Sequence, residues 1–268
     1  MKKLLSFVLA LAILSVFFDR QPAHAALPAL ANLPQSGSIV SRWYMDEASG
    51  TRADSVGVNT LTDNNTVGSA AGQFSVTAAD FEAANDEYLS ITDGSQTGLD
   101  IAGDLSFGAW FKPETVTAQY HFLFGKSLHT GNQRGYYSYI YEESGTIYIT
   151  FYISANGTSG ATKSVTIPAL STGTWYHVAV VYDASAGEVD FYIDGAQVGV
   201  TQTGLATSIY NNTSMFAIGS YQALDYMDGM MQDAVLWTTE LTSTEIDTLY
   251  DAYFPAPAPT FKPYVIIE

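Results

Sequence analysis

Between Thr174 and Gly195 the chain reads TWYHVAVVYDASAGEVDFYIDG, and three carboxylates, Glu188, Asp190 and Asp194, crowd its second half. In an extended strand, Glu188 and Asp190 at i and i+2 would share one face. A retaining glycosidase needs such a pair, one carboxyl as nucleophile and one as acid/base, about 5–5.5 Å apart. The flanking residues point elsewhere. Asp194-Gly195 is the favoured pair for a tight type I′ turn, and Ala186-Gly187 turns the chain just before Glu188. Glu188 then begins a strand whose buried face is Val189, Phe191 and Ile193.

Two other groups could bind. Tyr137, Tyr139 and Tyr141 project from one side of a strand, and Tyr148 and Tyr152 from one side of the next. The apolar C–H face of a pyranose stacks on such rings, and a phenol can hydrogen-bond a sugar hydroxyl. The same alternation suits tyrosines filling the space between two sheets, so spacing leaves the face open. The loops SLHTGNQR, SANGTSG and SYQALDYM would supply polar contacts at a rim. The second group is DEASGTRADSVGVN, which holds Asp46, Glu47, Asp54 and Asn59 in a turn-rich span. Calcium takes roughly six to eight oxygens from carboxylates, amides and carbonyls, and flexible loops provide them.

The histidines suggest less chemistry. His177, between Trp175 and Ala179, reads as a hydrogen-bonded structural residue of a central strand, and His121 and His129 lack spaced partners for zinc. No Gly-x-Ser-x-Gly elbow, phosphate loop or dinucleotide fingerprint occurs.

These groups must be carried by strands. Aromatic residues make up 13% of the chain and charged residues only 14%, a balance that favours pleated, half-buried surfaces. In DLSFGAWFK, Leu105, Phe107, Ala109 and Phe111 alternate with Ser106, Gly108 and Trp110; in TIYITFYIS, Ile147, Ile149, Phe151 and Ile153 oppose Tyr148, Thr150 and Tyr152. SIVSRWYM, QYHFLFGK, GYYSYIYE, SVTIP and MFAIGS also read as strands. One helix is predicted. Thr242 and Glu245 form a capping box, and Ile246, Leu249, Tyr250 and Tyr253 follow as an apolar stripe. It is expected across an edge or end of a sandwich. The stretch VGVNTLTDNNTVGSAAG reads as a long loop. Many short strands, turn signals about every 8–12 residues and one short C-terminal helix predict an all-β, antiparallel two-sheet sandwich.

The ends read differently. Lys2 and Lys3, an uncharged run from Leu4 to Phe18 and the Ala23-His24-Ala25 site predict a signal peptide over residues 1–25, cleaved after Ala25, in a bacterial style. A short lead-in over 26–37, one domain over 38–254 and a Pro-rich tail over 255–268 complete the expected organisation. The expected location is outside the cell or on its surface, with no stable membrane span once the leader is gone. The formal charge is −17; removing the leader's net +2 leaves −19. Such a surface repels phosphate backbones and argues against nucleic acid as a partner. With no cysteine there is neither disulfide nor thiol catalysis, and a large core or a bound metal must stabilise the fold.

Four segments, in order, carry a resemblance: IVSRWYMDEASGTRADSVG, DLSFGAWFKPE, TWYHVAVVYDASAGEVDFYIDGAQVG and FAIGS with MDGMMQDAVLWTTELTSTEIDTLY. Together they resemble laminin-G-like jelly rolls of the concanavalin-A-like lectin/glucanase superfamily. The resemblance implies binding of glycans, proteins or calcium. It also implies a structural calcium shared by the acidic loop and a late strand, here Asp54 and Asp233, with Asn59 alongside. Laminarinase-like relatives carry Glu-x-Asp-x-x-Glu or Glu-x-Asp-x-Glu on one strand. The positions of the second glutamate are Tyr192 and Ile193 here, so no enzyme is expected. The resulting expectation is a secreted, non-catalytic carbohydrate-binding domain, with a structural calcium. The alternative is an extracellular structural or adhesion subunit that binds protein. A glycoside hydrolase comes third.

Overall fold

The computed structural model describes residues 26–254, apart from positions 75 and 118. The predicted leader and Pro-rich tail lie outside the described residues. In chain order the strands are β1 (Ile39–Trp43), β2 (Thr62–Asn64), β3 (Gly68–Ala71), β4 (Thr77–Phe81), β5 (Tyr88–Ile91) and β6 (Leu105–Pro113). Then follow β7 (Tyr120–Leu128), β8 (Gln133–Glu143), β9 (Thr146–Ile153), β10 (Ala161–Thr166), β11 (Tyr176–Asp183) and β12 (Glu188–Ile193). The last are β13 (Ala196–Gln202), β14 (Phe216–Ile218), β15 (Ser220–Tyr221), β16 (Asp225–Tyr226) and β17 (Gly229–Trp237), before helix α1 (Ser243–Ala252).

They form a two-sheet antiparallel sandwich. An eight-stranded sheet runs β13-β12-β11-β6-β17-β4-β3, with β1 also on β17; a seven-stranded sheet runs β10-β9-β8-β7-β14-β5-β2. β15 and β16 make a separate small hairpin. The sequence expectation of an all-β jelly roll with one helix holds. The Asn-rich stretch is more ordered than a loop, since β2 and β3 lie inside it.

Alternation sets the core. Phe107, Phe111, Val180, Phe191, Phe124 and Ile149 meet between the sheets, each at most 1% exposed. Burying each such side chain contributes roughly 1.5–3 kcal/mol before entropy is counted. Val189 and Ile193 join them, as the period of β12 requires. Asp194 and Gly195 both have positive φ, 52° and 81°, as a type I′ turn demands.

The outer positions of the eight-stranded sheet are apolar as well, and that decides where the helix goes. Instead of crossing an edge or end, α1 lies on this outer face. Ile246, Leu249 and Tyr253 bury against Trp110, Val181, Tyr192 and Trp237. Thr242 and Glu245 close the predicted capping box. His177 sits in this layer, against the rings of Trp110, Tyr250 and Tyr253. Neither ring nitrogen has a hydrogen-bond partner, which corrects the expectation of a hydrogen-bonded histidine. Burial holds it neutral, with its pKa pushed down to about 3.

Candidate functional site

The five candidate tyrosines come together on the outer face of the seven-stranded sheet. β8 pairs with β9 so that Tyr137 faces Tyr152, Tyr139 faces Thr150 and Tyr141 faces Tyr148. The alternate residues Tyr136, Ile140, Ile149 and Phe151 fill the core, so the candidate rings point away from it. The inter-sheet alternative is thereby removed.

Sequence reading missed part of the group. β7 adds Tyr120 opposite Tyr141 and Phe122 opposite Tyr139. The alternation in QYHFLFGK carried that signal. Tyr221, from the β15–β16 hairpin within the expected rim loop SYQALDYM, stacks on Phe122 at 5.3 Å and 15°; the sequence reading gave that loop polar contacts and not a ring.

The rings are arranged in rows across the strands. Tyr148 stacks on Tyr141 at 5.1 Å and 20°, and Tyr141 on Tyr120 at 5.7 Å and 13°. Tyr152 stacks on Tyr137 at 4.6 Å and 11°. Rings that stack on one another turn their faces inward, so the surface shows mainly ring edges and phenol groups. Open faces, the kind a pyranose needs for stacking, remain chiefly at the ends of the rows. Tyr120 is 45% exposed, whereas Phe122 and Tyr152 are nearly buried.

Desolvation raises the phenol pKa values of Tyr137, Tyr139, Tyr141, Tyr152 and Tyr221. Tyr139 is pushed up to about 12 and Tyr137 well up, the latter helped by Tyr221 and Tyr139 beside it. The hydroxyls of these five tyrosines are therefore protonated donors and acceptors at neutral pH.

The expected metal residues behave differently. Asp54 accepts four backbone N–H groups, from Arg42, Val56, Gly57 and Asn59, at 2.9–3.0 Å. The Asn59 side chain accepts from Thr97 N and donates to Ser41 Oγ and Thr97 O. Asp233 accepts from Arg42 Nε and Nη2, both at 2.7 Å, and from the Tyr253 hydroxyl at 2.8 Å. Arg42 and Asp233 are fully buried. The three residues thus do not fit a calcium site as they stand: a guanidinium already neutralises Asp233, and the other oxygens are filled by protein donors.

Among the described residues, Asp80, Glu82 and Glu114 form the one group of carboxylates close enough for a shared ion, with ligand atoms within 4.8 Å of one another. Desolvation raises all three pKa values and Asp228 adds to each; Asp80 also raises those of Glu82 and Glu114, while Lys112 opposes the rise at Asp80 and Glu114. Of the carboxylates first considered for catalysis, Glu188 and Asp190 share the outer face of β12, and Asp194 lies in the turn that follows. Asp190 accepts from Gln197 at 2.7 Å, and Asp194 caps the backbone N–H of His177 at 2.8 Å.

The class defined so far is an antiparallel jelly roll with one outer face covered by a helix and the other paved with aromatic rings. The chain belongs to the concanavalin A-like lectin/glucanases superfamily, whose laminin G family model matches residues 83–247. No curated protein matches the sequence. Among solved structures, domain 4 of AbnA, a GH43 extracellular arabinanase from Geobacillus stearothermophilus in complex with arabinotriose, is similar at TM-score 0.57 and 19% identity. That match covers 80% of this chain and 98% of that one. The binding domain of botulinum neurotoxin DC in complex with SialylT is similar at TM-score 0.62 and 14% identity, over 81% of this chain and 52% of that one. The binding domain of Paraclostridial Mosquitocidal Protein 1 follows at 0.62 and 11%, again over 81% and 52%. This chain thus spans about half the length of either toxin domain. At these identities the likeness is one of fold.

Proposed function

We propose that the protein is an exported, non-catalytic carbohydrate-binding domain whose ligand lies on the outer face of the seven-stranded sheet. One observation carries the reading. Tyr120, Tyr137, Tyr139, Tyr141, Tyr148 and Tyr152 form a continuous apolar bed tipped with hydroxyls, on the sheet face that α1 leaves uncovered. Sugar hydroxyls would exchange hydrogen bonds with the phenols, while C–H groups lie against ring edges and the open faces at the row ends. Two structural neighbours support it, one solved in complex with arabinotriose and one with SialylT. Among the described residues no helix is long and apolar enough to cross a membrane.

The test is a glycan array probed with the wild-type chain, Tyr139→Ala and Tyr152→Ala. Both variants are expected to lose most of the signal. Unchanged binding in both would remove this face from the reading. Calcium enters as a separate question of stability. A melting temperature that rises with calcium, but not in Glu82→Gln, would locate an ion at the acidic corner; no rise would remove calcium from the reading.

A further inference from the structure

Where the aromatic bed meets the β15–β16 hairpin, the sheet surface drops into a shallow notch with room for about one water-sized group, lined in part by Gly125, Ser127, Ala217, Ser220, Tyr221 and Gln222. Its floor is made of small residues. Gly125 on β7 and Ala217 on β14 are directly paired, so no side chain rises between the strands. Its wall is Tyr221, which stacks on Phe122 and meets Tyr137 at 4.6 Å and 47°. The notch therefore opens at one end of the row that holds Tyr137 and Tyr152.

Its polar groups are unusual. Ser220 is only 3% exposed, yet its Oγ has no hydrogen-bond partner; the buried Nε2 of Gln222 has the Tyr221 hydroxyl for a neighbour. Leaving a buried polar group unpaired costs roughly 1–3 kcal/mol, so a fold rarely keeps one at a cleft unless something else uses it. A serine hydroxyl donates and accepts, and an amide nitrogen donates. Together they match a group that is itself both donor and acceptor. A sugar hydroxyl is such a group, with the apolar flank of its ring set against Tyr221. The formal charge of −17 disfavours an anionic guest in its place.

We propose that this notch is an end subsite, in which Ser220 and Gln222 hold one hydroxyl of the terminal sugar of a neutral oligosaccharide. The assignment rests on the carbohydrate-binding reading above and goes beyond it by fixing the end residue of the ligand and its charge class. Ser220 and Gln222 act as specificity residues, and the tyrosines supply the remaining contact area.

The experiment begins with an array of neutral and sialylated oligosaccharides that includes arabinotriose. The tightest neutral hit is then titrated by calorimetry against the wild type, Ser220→Ala, Gln222→Met and, as a control, Tyr139→Ala. Ser220→Ala is expected to weaken binding about tenfold, the loss of one hydrogen bond, while the melting temperature stays equal or rises because an unpaired polar atom has gone. Gln222→Met should weaken binding similarly. If both notch variants bind as the wild type does while Tyr139→Ala fails, the subsite is overturned and the aromatic face stands. A wild-type chain that binds nothing on the array overturns both. A melting temperature several degrees lower in Ser220→Ala would show the hydroxyl to be structural and overturn the subsite. Tight binding confined to sialylated glycans would overturn its neutral preference.

Discussion

Lowering the pH should unfold this protein through two buried histidines, and the effect can be worked out in advance. His177 lies among aromatic rings with no partner for either nitrogen, and His121 is 1% exposed with Nε2 unpaired. Desolvation pushes their pKa values down from 6.5 to about 3 and about 4. In the unfolded chain both take up a proton near pH 6.5. The unfolded state therefore binds more protons below that pH, and stability falls as pH falls from 6.5 towards the folded values. At pH 5.5, one unit below the unfolded pKa, each histidine costs about 1.4 kcal/mol, so the pair costs about 3 kcal/mol. That is a large share of the roughly 5–15 kcal/mol that stabilises a typical domain. The raised carboxylates Asp80, Glu82, Glu114, Asp194 and Glu240 have the opposite sign and gain stability as they protonate. They offset part of the loss, so the comparison is best made by difference. Urea midpoints at pH 7.5 and 5.5 should differ less in His177→Leu than in the wild type, by about 1.4 kcal/mol. Leucine suits the site because it adds no unpaired polar atom. A variant that keeps the full wild-type difference would refute the claim that a neutral, desolvated His177 drives it. Glycan binding should accordingly be measured at or above neutral pH.

Other outcomes follow from the same structure. Asp233→Asn leaves the buried Arg42 guanidinium without its counter-charge and should cost about 3–5 kcal/mol in urea unfolding. Thr242→Ala removes the side-chain cap of α1 and should cost about 1 kcal/mol by the same assay. A Cβ on Gly125 would lie 2.5 Å from that of Tyr137, so Gly125→Ala should lower both melting temperature and array binding. Gly103→Ala meets nothing within 4 Å and should change neither.

Several features were legible because they are local. The Asp194-Gly195 turn, the Thr242–Glu245 box and the inward set of Val189, Phe191 and Ile193 each depend on residues a few positions apart. The filled state of Asp54 was half legible, because its donors Val56, Gly57 and Asn59 are near in sequence. The fate of Asp233 was not, because Arg42 lies 191 positions away. The placement of α1 failed for a related reason. Its apolar stripe was plain, but which surface needed covering depended on the outer face of the eight-stranded sheet, assembled from strands far apart in the chain.

By itself, then, the sequence determined that this chain is a sandwich, which residues share a strand face and where helix α1 begins. Period-2 alternation assigns residues to faces but does not say which face looks inward when both are aromatic, and β8 has Tyr136 and Ile140 on one side and Tyr137, Tyr139 and Tyr141 on the other. Only the packing of the two sheets decided that, because it buries one set against Phe124 and Phe151 and leaves the other turned outward. Only tertiary contact could likewise bring Ser220 beside Gly125 to make a notch, since those residues meet through sheet pairing and a hairpin fold rather than through any spacing along the chain.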